Sequence, residues 1–321
     1  MSVFTVTLYP YLESIWTTDS LISGRVNPIA CTHSRAMGGG VAAGRVLTRL
    51  RLETYATGLL GRINAGEYLQ LLGDRAGESD FVLADGRVAE RTLLRAGGSR
   101  LWLERERTAF DRDAFDELTA RLLRRLQPDD VVVLCGQGPS GEENLLLPQE
   151  RLARFCRKVR SAGGRVVADG IFTTLGYLHY ARPETVVLSA GELGRLTGVA
   201  PTNPLRLRTA MAMTAGHTVD TVLIPCGGST ISCLSGGRMT RGCVQRSEPA
   251  VWPSVVTTCG CLAAWRSLAG YAAGIAQRKR PDDCLKLACS CVQPELGRGG
   301  RWGKKEIVRT TANALVREWK L

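Results

Sequence analysis

The stretch LARFCRKVRSAGGRVVAD, residues 152–169, decides the fold. Leu152, Phe155, Cys156 and Val159 recur at i, i+3, i+4 and i+7, which puts them on one face of a helix, and Arg165 to Asp169 then reads as a buried strand. The same order recurs upstream, where Phe115, Leu118, Leu122 and Leu126 share a helix face ahead of the apolar run Val131 to Leu134. Phe4 to Leu8, Val186 to Leu188 and Thr221 to Ile224 supply further short strands. Helix alternating with strand is the pattern of a parallel sheet covered on both faces, so the spacing predicts an α/β, doubly wound architecture. One segment departs from it. Thr92 to Arg95 and Arg100 to Glu104 flank Ala96-Gly97-Gly98-Ser99, which predicts a hairpin and hence a small β lid.

With 321 residues, 44% of them hydrophobic, the chain supports one main domain and a small excursion. Met1 to Leu21 has no basic region followed by a continuous apolar core, so no signal peptide is expected there. The longest charge-free run, Pro249 to Trp265, contains a second proline and stops at Arg266, short of the ~20 apolar residues of a membrane span. A soluble protein is expected, with no membrane partner. Eleven cysteines in a long chain without a secretory signal read as reduced thiols, which points to the cytoplasm. Forty-two Lys and Arg against thirty Asp and Glu give a net charge of +12, a field that favours anionic ligands or polyanions without identifying either. Gly297 to Lys305 reads as a glycine-rich basic linker before a last amphipathic helix running to Leu321. That tail would suit RNA, but a solvated linker is the commoner meaning of such a composition. The expected division is therefore a domain over 1–296, with a lid drawn from about 9–30 and 80–105, and a basic linker and helix over 297–321.

At Val3 to Leu12, Arg35 to Leu50, Asp129 to Gly141 and Val251 to Ile275, the order and spacing of residues resembles the PfkB family of carbohydrate kinases, within the ribokinase-like superfamily. Within that family, the bacterial 1-phosphofructokinase and tagatose-6-phosphate kinase branch is most similar. Gly38 and Gly40, Gly58 and Gly61, Cys135-Gly136 with Pro139 and Gly141, Gly227, and Gly260 fall at family spacing, and the resemblance extends to about Gln293. It implies a ribokinase-like, mainly parallel sheet with a β lid that often makes the dimer contact, and MgATP as phosphoryl donor.

The same resemblance implies that much of the chemistry has been replaced. Phosphoryl transfer to a sugar hydroxyl asks for a proton acceptor, an anion hole and Mg²⁺. The family's base is the aspartate of a GAGD motif opening a helix, and the corresponding residues here are Thr258-Cys259-Gly260-Cys261, followed by the helix Leu262 to Gln277. Cys261 stands at the aspartate's position, Gly260 belongs to the anion hole, and no Asp or Glu occurs between Glu248 and Asp282. In the family's GGKGxN substrate loop, the lysine becomes Gly39 and the asparagine Ala42, with Gly38 retained. The aspartate that grips the sugar corresponds to Glu13 and the asparagine before the proline to Tyr9. The lid's phosphate-binding arginine falls at Ala89, with Arg87 and Arg91 flanking it. On the nucleotide side the NxxE pattern becomes Ser189 to Glu192, keeping its glutamate. The SLGxxG loop becomes Pro225 to Thr230, with Gly227 and Gly228 as candidates for backbone contact. MgATP binding is expected to be weakened.

Each of these residues also has a plainer meaning. Glu192 and Asp169 suit Mg²⁺ or a substrate hydroxyl, but equally a helix cap or a fixed turn. Arg87, Arg91 and Arg95 suit a phosphorylated ligand or an acidic partner, but charges on a lid are by default solvated. Cys259, Cys261, Cys284, Cys289 and Cys291 are read as small apolar residues in tight helix contacts, because no CxxC pair is present; no metal site is expected. Three functions follow: a degenerate sugar-kinase homologue, a pseudokinase binding a phosphorylated sugar, a nucleotide or a protein partner; an active ATP-dependent sugar or sugar-phosphate kinase; and a nucleic-acid-associated protein using its tail. Self-association through the lid as a homodimer is expected with the first two.

Overall fold

The computed structural model describes residues 1–74, 76–105, 111–138, 148–244, 261–292 and 303–318. In chain order the elements are β1 (Val3–Thr7), β2 (Tyr11–Thr18), β3 (Ala30–Met37), α1 (Gly39–Arg49), β4 (Thr54–Gly61), α2 (Ala65–Leu72), β5 (Glu78–Ala84), β6 (Ala89–Ala96), β7 (Ser99–Arg105) and α3 (Arg112–Arg125). They continue as β8 (Val131–Cys135), α4 (Gln149–Ser161), β9 (Arg165–Ala168), α5 (Leu175–Ala181), β10 (Thr185–Val187), α6 (Ala190–Thr197), α7 (Pro204–Ala215) and β11 (Thr221–Gly227). The last are β12 (Thr230–Ser235), β13 (Arg238–Val244), α8 (Cys261–Ala276), α9 (Pro281–Cys291), α10 (Lys304–Ala312) and β14 (Ala314–Glu318).

Ten strands form one sheet in the order β14-β13-β12-β11-β10-β9-β8-β1-β4-β5. From β5 to β11 the pairs are parallel, and β11 to β14 pair antiparallel. The alternation of side chains sorts the core into two layers. Phe4, Val6, Val132 and Leu134 point into the cluster covered by α3, α4, α5 and α7, while Val3, Val131, Val133 and Cys135 point into the cluster covered by α1, α8 and α9. Both faces are therefore dry, which is why these strands read as apolar runs. The doubly wound parallel architecture expected from the spacing is the one observed.

β1 lies between β4 and β8, so the strand order reverses at its carboxyl end, the place where open α/β sheets bind ligands. Over that end stands a second sheet of four strands, β3-β2-β6-β7. Leu12, Ala36 and Val88 seat it on α2 through Tyr68 and Leu72. The predicted hairpin is β6 and β7, joined at Gly97 and Gly98, both at positive φ.

Two boundaries differ from the sequence expectation. Residues 80–84 belong to β5 on the edge of the large sheet rather than to the lid, because Val82 packs in the main core and Phe81 against Tyr68. The last helix does not run on to Leu321: α10 ends at Ala312, and β14 pairs antiparallel with β13 as the other edge of the large sheet. Ile307 and Ala314 are buried there, so an apolar face holds this segment on the sheet, as the amphipathic pattern of the last helix requires. Pro139, Gly141, Cys259, Gly260, Gln293 and the 297–302 part of the basic run lie outside the described residues. No helix among the described residues is long and apolar enough to cross a membrane.

Candidate active site

Gly38 and Gly40 bring α1 onto β1, since a Cβ on either would crowd Thr7. Gly38 has φ +142°, a conformation that side-chain-bearing residues rarely adopt, and a Cβ there would lie 2.5 Å from Thr7 Cγ2. A Cβ on Gly39 would lie 2.6 Å from Cys135 Cβ and 2.7 Å from Trp265 Nε1. The space into which a residue at position 39 would project is therefore filled by α8, which leans on α1. Gly38 stands against Thr7 at the carboxyl end of β1 and Gly39 against Cys135 at that of β8, and both serve close packing there.

Behind them the ends of β8, β9 and β10 bring together Cys135, Gly136, Gln137, Asp169, Gly170 and Glu192. Asp169 accepts from the backbone N–H of Gly136 at 3.2 Å and of Gln137 at 3.3 Å. Burial pushes its pKa up to about 7, against the pull of those two N–H groups, and the charge of Glu192 adds to the rise. Trp265 stands close enough to pull it down slightly, yet its indole N–H makes no hydrogen bond of acceptable geometry. Glu192 closes a capping box at the start of α6, accepting from Ser189 N–H at 2.6 Å while Ser189 Oγ accepts from Glu192 N–H at 3.2 Å. Its pKa is raised, again first by burial. Of the two readings of Glu192, the helix cap is the one these hydrogen bonds show. A Cβ on Gly170 would lie 2.5 Å from Gln137 Nε2 and 2.7 Å from Glu192 Cδ, so the glycine lets these groups approach.

On the lid, Glu13 is nine-tenths buried and ion-paired with Arg35, whose Nε donates at 2.7 Å. Strand register aligns Arg35, Glu13, Arg91 and Glu104 in one row across all four strands. The guanidinium of Arg91 lies 4.0 Å over the ring of Trp102. Arg87 forms an ion pair with Glu90 instead of joining this row. Cross-strand alternation of charge explains the row without a ligand. Arg35 escapes sequence reasoning because its partner is 22 residues away on another strand.

Gly227 and Gly228 form the tight turn of the β11–β12 hairpin, at φ +99° and +55°. Their backbone shape is required by the turn itself. α8 begins at Cys261 with no acidic residue in its first turn. The side chain of Cys261 lies outside the described residues. Among the described residues no three His, Cys, Asp or Glu side chains are placed to hold a metal ion. Cys284 and Cys289 fill contacts instead: a Cβ on Gly274 would meet Cys284 Sγ at 2.6 Å, and one on Gly242 would meet Cys289 Sγ at 2.7 Å. Burial raises both thiols, Cys284 to about 12.

No family model matches the chain. Two curated relatives span it: a 1-phosphofructokinase of Vibrio cholerae, 25% identical over 290 residues, covering 89% of this chain and 86% of the relative, and a tagatose-6-phosphate kinase of Staphylococcus epidermidis, 21% identical over 291 residues, covering 89% of each. Among solved structures, phosphofructokinase-2 of Escherichia coli in complex with fructose 6-phosphate superposes with a TM-score of 0.75 at 17% identity, over 97% of this chain and 98% of that one. A carbohydrate kinase of Agrobacterium tumefaciens gives 0.69 at 15% identity, over 99% of this chain and 100% of that one. The two structures share this fold, lid included in the aligned length.

Proposed function

This chain belongs to the PfkB family of carbohydrate kinases, and from that premise we propose that it binds a sugar or sugar-phosphate ligand under the lid while its phosphoryl-transfer machinery has been dismantled. One observation carries the reading: α8 starts at Cys261 with no acid in its first turn, and none occurs from residue 249 to residue 281. Loss of a general base typically costs about 10²- to 10⁴-fold in rate. The neighbouring substitutions point the same way. Trp265 and Cys135 occupy the room a lysine at position 39 would need, and Glu13 is engaged by Arg35.

Mg²⁺ fits the remaining acids poorly. The ion asks for free carboxylate oxygens, whereas Asp169 already accepts from two backbone N–H groups and Glu192 from a third. MgATP is accordingly proposed as a weak ligand at most, resting on the Gly227–Gly228 turn. The exposed Leu101, Trp102 and Leu103 on β7 support self-association through the lid, which light scattering reads directly.

A second reading, an active ATP-dependent sugar kinase, is favoured by Asp169 itself, since a pKa near 7 suits a proton acceptor. Transfer of labelled γ-phosphate from MgATP to fructose 1-phosphate, fructose 6-phosphate and tagatose 6-phosphate separates the two. The expected result is no turnover in the wild type and a gain in Cys261→Asp. Wild-type turnover near the ~1 s⁻¹ of ordinary enzymes, abolished in Asp169→Asn, would establish the second reading instead.

A further inference from the structure

One face of the lid sheet carries three cross-strand rows, because residues two apart along a strand point the same way. Near the start of β2, Glu13, Arg91 on β6 and Glu104 on β7 stand side by side with alternating charge. The next row, Ile15, Leu93 and Trp102, is apolar, and the last, toward the hairpin tip, is Thr17, Arg95 and Arg100. This last row sets two arginines directly opposite each other, where like charges destabilise a strand pair. Both are exposed, and neither has an ion pair among the described residues. A charge on an outer strand discourages pairing with other chains, which accounts for Arg100 on β7. It does not account for Arg95, since β6 lies between β2 and β7.

The two arginines wall a cavity of about 300 Å³ together with Thr17, Thr18 and the turn at Gly97 and Gly98. The Thr17 hydroxyl makes no hydrogen bond among the described residues, whereas that of Thr18 donates to the Ser20 carbonyl at 3.2 Å. Asp19, the acid that follows β2, turns its main-chain oxygen toward Gly97, 3.1 Å from where a Cβ would stand, and forms no ion pair with either arginine. The cavity is therefore lined by two uncompensated cations and a free hydroxyl. At ~3.3 Å per residue, β2 carries this row about 20 Å beyond Tyr11, well clear of the carboxyl end of β1. A guanidinium presents forked donors that match the oxygens of a phosphate, and a phosphate near its dianion compensates both charges at once, where one carboxylate compensates one.

We propose that Arg95, Arg100 and Thr17 form a phosphate-binding site at the tip of the lid, separate from the cleft at the carboxyl end of β1. A bound phosphate bridges β6 and β7 beside the end of β2, and so turns an opposed pair of like charges into a contact that holds the hairpin. The phosphate arrives either as the free ion or on a phosphorylated metabolite, since the row offers contacts to the phosphate group alone.

The test is amide NMR of the isotope-labelled full chain at low ionic strength, where exposed charges are least screened, following the signals of Gly97 and Gly98. The probes are inorganic phosphate, fructose 6-phosphate and AMP, with fructose as the neutral control. Inorganic phosphate is expected to shift both amides saturably, and fructose to leave them in place. Arg95→Ala and Arg100→Ala are each expected to weaken phosphate by about fivefold, the upper end for one exposed ion pair. Without phosphate, Arg100→Ala is expected to melt no lower than the wild type, because it relieves the opposed pair, so a folding defect does not mimic the loss. Similar affinity for the three phosphorylated probes supports the site as one for the free ion, and tighter binding of fructose 6-phosphate or AMP supports it as one for a phosphorylated metabolite. Absence of a saturable shift at Gly97 and Gly98 overturns the proposal, as does equal phosphate affinity in the wild type and both variants. So does loss of self-association in the variants, read by light scattering, with no phosphate effect at the turn: the two arginines would then answer the acids of a second copy.

Discussion

Replacing Asp169 by asparagine should change how the stability of the protein depends on pH. In the folded chain burial raises this carboxyl from its ordinary 3.8 to about 7, while in the unfolded chain it returns to the ordinary value. Between those two pH values the folded state holds a proton that the unfolded state has released, so stability is greatest below the lower value and falls as pH rises through the window. At ~1.36 kcal/mol per pH unit, the full window amounts to roughly 4 kcal/mol, of which about 3 kcal/mol falls between pH 5 and pH 8. Asparagine keeps an oxygen for the N–H groups of Gly136 and Gln137 and does not titrate. Urea denaturation of wild type and Asp169→Asn at pH 5, 6, 7 and 8 measures the difference directly, because other titrating groups are common to both. The expected outcome is a variant whose advantage over wild type grows by about 3 kcal/mol from pH 5 to pH 8. Parallel pH curves for the two proteins would refute the reasoning, since they would mean that the carboxylate is solvated when ionised.

Restoring the family's lysine with Gly39→Lys should destabilise the protein by about 1–3 kcal/mol rather than create a phosphate site, because its Cβ would crowd Cys135 Cβ at 2.6 Å and Trp265 Nε1 at 2.7 Å; a thermal melt with and without inorganic phosphate reads both effects. Ile307→Ala, at a fully buried position of α10, should cost about 2–5 kcal/mol of unfolding free energy, whereas a solvated tail would lose no more than about 0.5 kcal/mol.

Signals carried within a few residues were readable before any coordinates. The helix face of Leu152, Phe155, Cys156 and Val159 and the turn at Gly97-Gly98 are local periodicities and local turn chemistry, and each became the element expected. The missing acid ahead of α8 is likewise a fact of order along the chain: with no Asp or Glu from residue 249 to residue 281, no folding of that segment supplies one. What required the tertiary structure depends on residues far apart in sequence. The side-chain space at Gly39 is closed by Trp265, Glu13 is engaged by Arg35 through a strand pairing, and a last segment that reads as one helix to Leu321 ends instead in β14 at the edge of a sheet. The contacts of Asp169 with the N–H groups of Gly136 and Gln137 belong to the same class, because whether a polar group has a partner is decided by what the folded chain places within about 3 Å of it, and composition along the chain carries no record of that distance.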